Sequence, residues 1–276
     1  MTNFIYDLPS WVLGVLIVGI ASAFAGLGTI VAQRLVPLRV RAEHNEIAGF
    51  ISAMVGVVYA VFLAFLAIAV WEAFGKAEVT VRREASAAGD IWVDSRPYPL
   101  AVERQVRKAV EDYLTAVVED EWPLQQRGKV SLKAWRAVET LHRLILDYQP
   151  ETPAQQIAHT EIFRKMNELL AERRSRIFIN ENAIQAEVWI VLLLGSALAI
   201  AFTWFFGTEN ARAHVAMTTM LGASIGLALF LVVSMDGPFR GRVSVDPAPF
   251  ERVRETLKRL AVEQPPVEAP ALRRRR

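Results

Sequence analysis

The chain has 276 residues, is 53% hydrophobic and carries a formal net charge of +2, with a mean hydropathy of +0.26. That is too apolar for an ordinary water-soluble domain, and a charge so near balance excludes the electrostatics of a nucleic-acid-binding protein. With no cysteine in the chain, disulfides, thiolate chemistry and cysteine-held metals are excluded as well.

In chain order, the first element is an uncharged run from Leu8 to Gln33, long enough to cross the hydrocarbon core of a membrane as a helix. The "ASA" at 21–23 would suit a cleavage site. The preceding "MTNFIYDLPS", however, holds an acid and no Lys or Arg, and the run exceeds the apolar core of a signal peptide, so a retained span is expected. A second uncharged run, Ile47 to Trp71, passes into a charged stretch without a proline. One helix therefore crosses the membrane and continues into water as a rigid stalk, supported by the i,i+4 pairs Glu72/Lys76 and Glu78/Arg82. Pro97 and Pro99 in "SRPYP" stop it.

Beyond the stalk, apolar residues at helical spacing predict helices over about 100–120 and 131–148, separated by "EWP" at 121–123. "TPAQ" at 152–155 supplies an N-cap Thr, a first-turn Pro and a capping-box Gln. No breaker follows before Gly195, so that helix is expected to run unbroken into a third span, Val188 to Thr208. Val215 to Met235 forms a fourth. Asp236, Gly237 and Pro238 then end the helix, and Pro249 opens a last amphipathic helix with Phe250, Val253, Leu257 and Leu260 inward, packed on the stalk. A basic tail of four arginines closes the chain and suits a solvated end with some affinity for anionic lipid.

These elements define an all-α, four-span helical membrane protein with a cytosolic helical domain between spans two and three. The expected divisions are 1–71 (spans one and two), 72–187 (stalk and hairpin domain), 188–235 (spans three and four) and 236–276 (C-terminal helix and tail). Orientation follows from loop charge. Lys76, Arg82, Arg83, Arg173, Arg174, Arg176, Arg240 and Arg242 flank the spans on one side, against Arg34, Arg39, Arg41 and Arg212 on the other. The positive-inside tendency places the large domain and both termini in the cytoplasm, in a multi-pass protein of the plasma (inner) membrane. Trp11, Trp71 and Trp189 fall at the cytoplasmic interface and Trp204 at the opposite one, where interfacial indoles belong.

The chemistry is sparse. There is no nucleophile elbow, phosphate loop or zinc-protease motif, and the four histidines (His44, His142, His159, His214) lack ligand spacing. No enzyme activity, metal or cofactor is expected. The spans hold hydroxyls but no buried carboxylate, which weakens a proton-relay mechanism. In the second span Gly49, Ala53, Gly56, Ala60, Ala64 and Ala67 form a stripe of small residues, with Phe50, Met54, Val58, Phe62 and Leu66 opposite. The fourth span carries Gly222 and Gly226 as GxxxG. Two readings stay open: close helix packing within one subunit, or a second span lining a symmetric pore whose apolar constriction is Phe62 and Leu66.

Several stretches carry a resemblance: "GVVYAVFLAFLAIAVWEAFGKAEVTVRREASAAGDIW", "EDEWP", "VWIVLLLGSALAIAFTWFFG", "HVAM" and "MDGPFRGRVSVDPAPF". Over roughly residues 45–250 the chain resembles the bacterial bestrophin-like domain family, four-pass proteins of unestablished function. The residues that carry the likeness are Tyr59, Trp71, Glu84, Glu121, Trp122, Pro123, His214, Asp236, Pro238, Phe239 and Gly241. The resemblance implies kinship with bestrophins, pentameric anion channels with a cytosolic helical domain between spans two and three. It departs from them in having no recognisable acidic calcium-binding cluster and only a loose echo of the phenylalanine-rich neck. Function is thus expected to be that of a homo-oligomeric ion channel in a lipid bilayer with inorganic ions as partners. The alternative is a membrane-anchored interaction or signalling module without transport.

Overall fold

The computed structural model describes residues 9–181, 184–241 and 243–263. The basic tail and Arg242, both used above, lie outside the described residues. Ten α-helices and one π-helical turn account for the fold, with no strand among the described residues. The helices are α1 (Ser10–Leu35), α2 (Leu38–Glu43), α3 (Asn45–Asp94), α4 (Leu100–Ala116), α5 (Trp122–Gln125), α6 (Leu132–Asp147), α7 (Pro153–Glu181), α8 (Ala186–Thr203), α9 (Ala211–Met235) and α10 (Ala248–Glu263). The π-turn, Val117–Glu121, joins α4 to α5. α1, α3, α8 and α9 are long and apolar enough to cross a membrane. The chain divides into two compact units, residues 1–74 with 182–244 and residues 75–181 with 245–276. Residues 236–244 thus belong with the spans.

The first unit holds α1, α2, α8, α9 and the membrane half of α3. Its tightest pair is α1 with α9. A Cβ placed on Gly222 would lie 2.6 Å from the Ala21 carbonyl oxygen and 2.7 Å from Ala25 Cβ, and one on Gly226 would lie 2.8 Å from Val18 Cα. Only glycine lets two backbones approach this closely. The buried hydroxyls of Thr29 and Thr218 lie 2.8 Å apart across the same contact. α3 joins this pair and α8 through a core of Tyr59, Val70, Leu192, Leu229 and Val232.

A set of polar contacts fixes the loop ends of the unit. Asn45 Nδ2 donates to the Gly207 carbonyl at 2.7 Å, and Gly207 N–H donates back to Asn45 Oδ1 at 2.8 Å. Arg41 donates to the carbonyls of Phe206 (2.9 Å) and Val36 (3.1 Å). α2 lies so close that a Cβ on Gly207 would sit 2.5 Å from Ala42 N. At the other end Asp236 Oδ1 accepts from Ile184 N–H at 2.7 Å, and Gly241 takes the left-handed φ of 76°.

One expectation is corrected. The helix begun at Pro153 does not run into the third span: α7 ends at Glu181 and α8 starts at Ala186, with Gln185 extended (φ −61°, ψ 147°). At the break the Asp236 carboxylate takes the Ile184 N–H that a continuous helix would use. Trp204, expected at the interface opposite the other indoles, has its ring half-buried against α1, and its Nε1 donates to the Ala25 carbonyl at 3.2 Å.

The second unit is built from the stalk half of α3 with α4 to α7 and α10. Ser131 caps α6 by accepting from Ala134 N–H at 3.1 Å, and Thr152 and Gln155 exchange side-chain-to-backbone bonds as a capping box at the start of α7. The helix expected over 100–120 changes to π geometry at Val117. Pro123 has no N–H to continue the ladder to Glu119, and the wider turn absorbs the loss. In α10, Phe250 and Leu257 are buried, and Phe250 meets the Trp122 ring edge-on with centroids 5.9 Å apart.

The glycines of α9 give the first test. Gly222→Leu should lower thermal stability in detergent by about 1–3 kcal/mol, the usual cost of overpacking. Gly19→Leu, where a Cβ meets nothing within 4 Å, should change it little. Equal melting temperatures for the two variants would show that the α1–α9 contact is looser than described.

Candidate functional site

Burial should follow the apolar face of a helix, yet the inward face of α7 runs Ile162, Met166, Leu169, Arg173, Arg176, all buried. A guanidinium taken out of water needs anionic partners and filled donor positions. Two carboxylates supply them. Arg173 donates to both oxygens of Glu121 at 2.6 Å. Arg176 donates through Nε to Glu84 Oε2 at 2.7 Å, and through Nη2 to Glu84 Oε1 at 2.8 Å and Glu121 Oε1 at 2.6 Å. Gln125 Oε1 accepts from Arg176 Nη1, and the buried Tyr113 hydroxyl donates to Glu84. Aromatic faces close the cluster: the Arg176 guanidinium lies 5.5 Å from the Trp122 ring centroid and 5.8 Å from that of Phe250.

The cluster joins the stalk of α3 (Glu84), α4 (Tyr113), the π-turn (Glu121), α5 (Gln125) and α7 in one network, with two formal charges of each sign. Burial opposes the charge of Arg176, but Glu84 and then Glu121 overcome it and hold the guanidinium well above its usual range. Arg173 is raised in the same way against burial, through Tyr113 and Glu121. Burial, and next the Glu84 carboxylate, push the Tyr113 phenol well above its ordinary value, so it stays a donor. Among the described residues no cluster of acids and histidines could hold a metal ion. Chemically, the arrangement is a lock.

A second group lies at the far end of the stalk. The Tyr98 hydroxyl is 2.7 Å from His159 Nδ1, and the Tyr98 and Tyr148 rings pack tilted at 45° with centroids 4.2 Å apart. Burial lowers the affinity of His159 for a proton, so the neutral ring is favoured and accepts from Tyr98.

In the membrane unit, Tyr59 is buried and its hydroxyl meets Ser196 Oγ and the Leu192 carbonyl (3.3 Å), tying α3 to α8. Phe62 and Leu66, the expected constriction, are half-buried against the same core. Of the small stripe, Gly49 is near Phe206, a Cβ on Gly56 would meet nothing within 4 Å, and Ala53, Ala60 and Ala64 are exposed. Phe50, Met54 and Val58 are also exposed, at 69%, 58% and 71%. His214 is buried, with Nε2 3.0 Å from the Thr203 carbonyl. Asp236, Pro238 and Phe239 are buried, Trp122 is buried beside exposed Pro123, and Trp71 is exposed.

Sequence reasoning singled out Glu84, Glu121 and Trp122 but missed Tyr113, Gln125, Arg173 and Arg176, and it counted the two arginines as loop charges that set orientation. A signal was present: Arg173 and Arg176 extend the three-and-four spacing of Ile162, Met166 and Leu169.

The fold defines a class, the four-span helical membrane protein with a helical domain inserted between its second and third spans. The Bestrophin-like domain profile matches residues 19–250, and the chain belongs to that family. Its fold is similar to crystal structures of single-substitution variants of a bacterial bestrophin homologue from Klebsiella pneumoniae. One gives a TM-score of 0.65 at 14% identity over 90% of this chain and 99% of that one. Another gives 0.62 at 13% identity over 89% and 98%. A crystal structure described as a membrane protein is similar at a TM-score of 0.62 and 12% identity, over 89% and 97%. At such identities the likeness is one of fold. Comparison with curated proteins finds no match.

Two expectations follow. Because removing one member of a buried ion pair strands the other, Arg176→Met should cost about 3–5 kcal/mol of stability. Arg176→Met with Glu84→Gln should cost less than the sum of the singles, by at least about 1 kcal/mol; additive losses would deny the coupling. His159 has a depressed proton affinity in the fold, so its contribution is present above its unfolded pKa and is lost as pH falls below that value. Wild type should therefore lose more thermal stability than His159→Gln between pH 7.5 and 5.5, and parallel curves would contradict this.

Proposed function

We propose that the chain assembles as a homo-oligomeric ion channel of the plasma membrane, with α3 along the pore. The bare side of α3 carries the reading. Only 11% of its most apolar window is buried within the chain, against 17–28% for the other three spans. Ala53, Ala60 and Ala64 are exposed and a Cβ on Gly56 would meet nothing within 4 Å, and small residues on a span suit close approach by another helix. Beside them the apolar row Phe50, Met54 and Val58 stands exposed. A row at four-residue spacing turns about 40° per step, which carries its continuation, Phe62 and Leu66, round into the chain's own core. The proposed constriction therefore moves to Phe50, Met54 and Val58, a ring of apolar side chains that would block ions by excluding water.

Membership of the bestrophin-like family supports the reading, and five copies are expected from the resemblance. Exposed Lys76, Arg82 and Arg83 beyond the second span favour a cytoplasmic position for the inserted helical unit and both termini.

Three measurements test this proposal. The detergent-purified complex should have the mass of an oligomer. Gly56→Leu, which meets nothing inside the chain, should reduce that mass. Phe50→Ser with Met54→Ser should raise ion flux into liposomes several-fold. A monomeric wild type, or a folded oligomer with no flux in either form, would leave the interaction module as the better reading.

A further inference from the structure

We infer that the turn between α5 and α6, with the first turn of α6, docks on the membrane surface and binds the headgroups of anionic phospholipids. The segment from Gln126 to Arg136 carries Arg127, Lys129, Lys133 and Arg136 and no acid. All four bases are exposed, and none has an ion-pair partner among the described residues. The acids on either side are engaged elsewhere. Asp120 accepts from Ser131, Glu121 is held by Arg173 and Arg176, and Glu139 lies 4.0 Å from Arg143. Between the bases stand Val130, Leu132 and Trp135, exposed at 44%, 73% and 46%. A site for a soluble anion has no use for a leucine and an indole at its surface. Bases interleaved with apolar side chains fit an interface whose outer layer is charged and whose inner layer is hydrocarbon.

The segment is held in shape. Lys129 N–H donates to the Leu124 carbonyl and Gly128 N–H to the Gln125 carbonyl, both at 2.9 Å, with Gly128 at a left-handed φ of 70°. This is the glycine-ended closure of a helix. Ser131 then caps α6, which packs inward through Ala134, Val138 and Leu141 and leaves Leu132, Trp135 and Arg136 together on its outer face. The Arg173 guanidinium lies 5.5 Å from the Trp135 ring centroid, which ties the patch to the buried lock. The chain itself carries the patch to the bilayer. Asn180 Nδ2 donates to the Gln125 carbonyl at 3.2 Å, and α8, the third span, begins at Ala186. That connection can extend to at most about 20 Å. The headgroup layer reaches about 5–8 Å beyond the hydrocarbon, and the long stems of lysine and arginine reach toward it.

Since the chain has no cysteine, Gln126→Cys at an exposed position accepts a single fluorophore. The full-length protein labelled there is placed in nanodiscs doped with nitroxide-headgroup lipid. Quenching should be stronger in discs containing phosphatidylglycerol than in discs of phosphatidylcholine alone. Changing Arg127, Lys129, Lys133 and Arg136 together to Gln should remove most of that difference, because each base near an anionic surface strengthens binding about fivefold. High salt should remove it from the otherwise unchanged labelled protein, and this arm carries the test should the fourfold variant fail to fold. A label at Glu151→Cys, exposed ahead of α7 and about 40 Å from Asn180 along that helix, should stay unquenched in both discs. Equal quenching of the Gln126 label in both discs, or a difference that survives salt, would overturn the docking. Suppression by inorganic phosphate at constant ionic strength would assign the bases to a soluble anion and overturn it as well. The docking holds whether or not α3 lines a pore.

Discussion

A charge removed from water must be paired, and the unit that follows the second span is organised around that requirement. Glu84 lies on the inward face of a stalk otherwise made of Ala77, Val81, Ala85, Ala88 and Ile91, where an unpaired carboxylate would cost several kcal/mol. Arg176 makes that position tolerable, and it does so while also binding Glu121 and Gln125. Five elements must therefore be in place together before any of these charges is satisfied. A hydrophobic core of the same volume could be as stable, but it would tolerate sliding of one helix on another; the fork of an arginine on a carboxylate does not.

The membrane unit solves a different problem. Lipid offers no hydrophobic drive for helices to associate, so α1 and α9 hold together by backbone approach at Gly222 and Gly226. α3 holds to its neighbours by shape around Tyr59 and by the exchange of bonds between Asn45 and Gly207. The same contacts leave most of the span of α3 uncovered. A helix anchored at its mouth by Asn45 and at its middle by Tyr59 can present its remaining surface to other copies, to water or to lipid, and the proposed pore uses that freedom.

Kinship and residue chemistry point the same way for architecture. The family supplies the layout of spans and inserted helices, which low-identity structures share as fold.

Much of the fold could be read from the sequence because its signals are local. Four uncharged runs longer than the membrane is thick must be spans, Pro97 and Pro99 must end the stalk, and Thr152 with Gln155 must start a helix. The exposed and buried sides of α3 were less legible: its apolar and small residues occur all round, so periodicity could not say which of Phe50, Met54, Val58, Phe62 and Leu66 face the chain's own core. The break between α7 and α8 was invisible in the local sequence, since Asp236, which accepts from Ile184 N–H there, is 52 positions away. Arg173, Arg176 and Arg41 looked like surface charges because a side chain's partners are not written beside it. The sequence by itself determined the number of spans, the helical insertion and the helix ends, all of which depend on neighbours within a few residues. Only the tertiary structure decided which charges are paired and buried and which stay exposed, because burial and pairing join residues from distant parts of the chain.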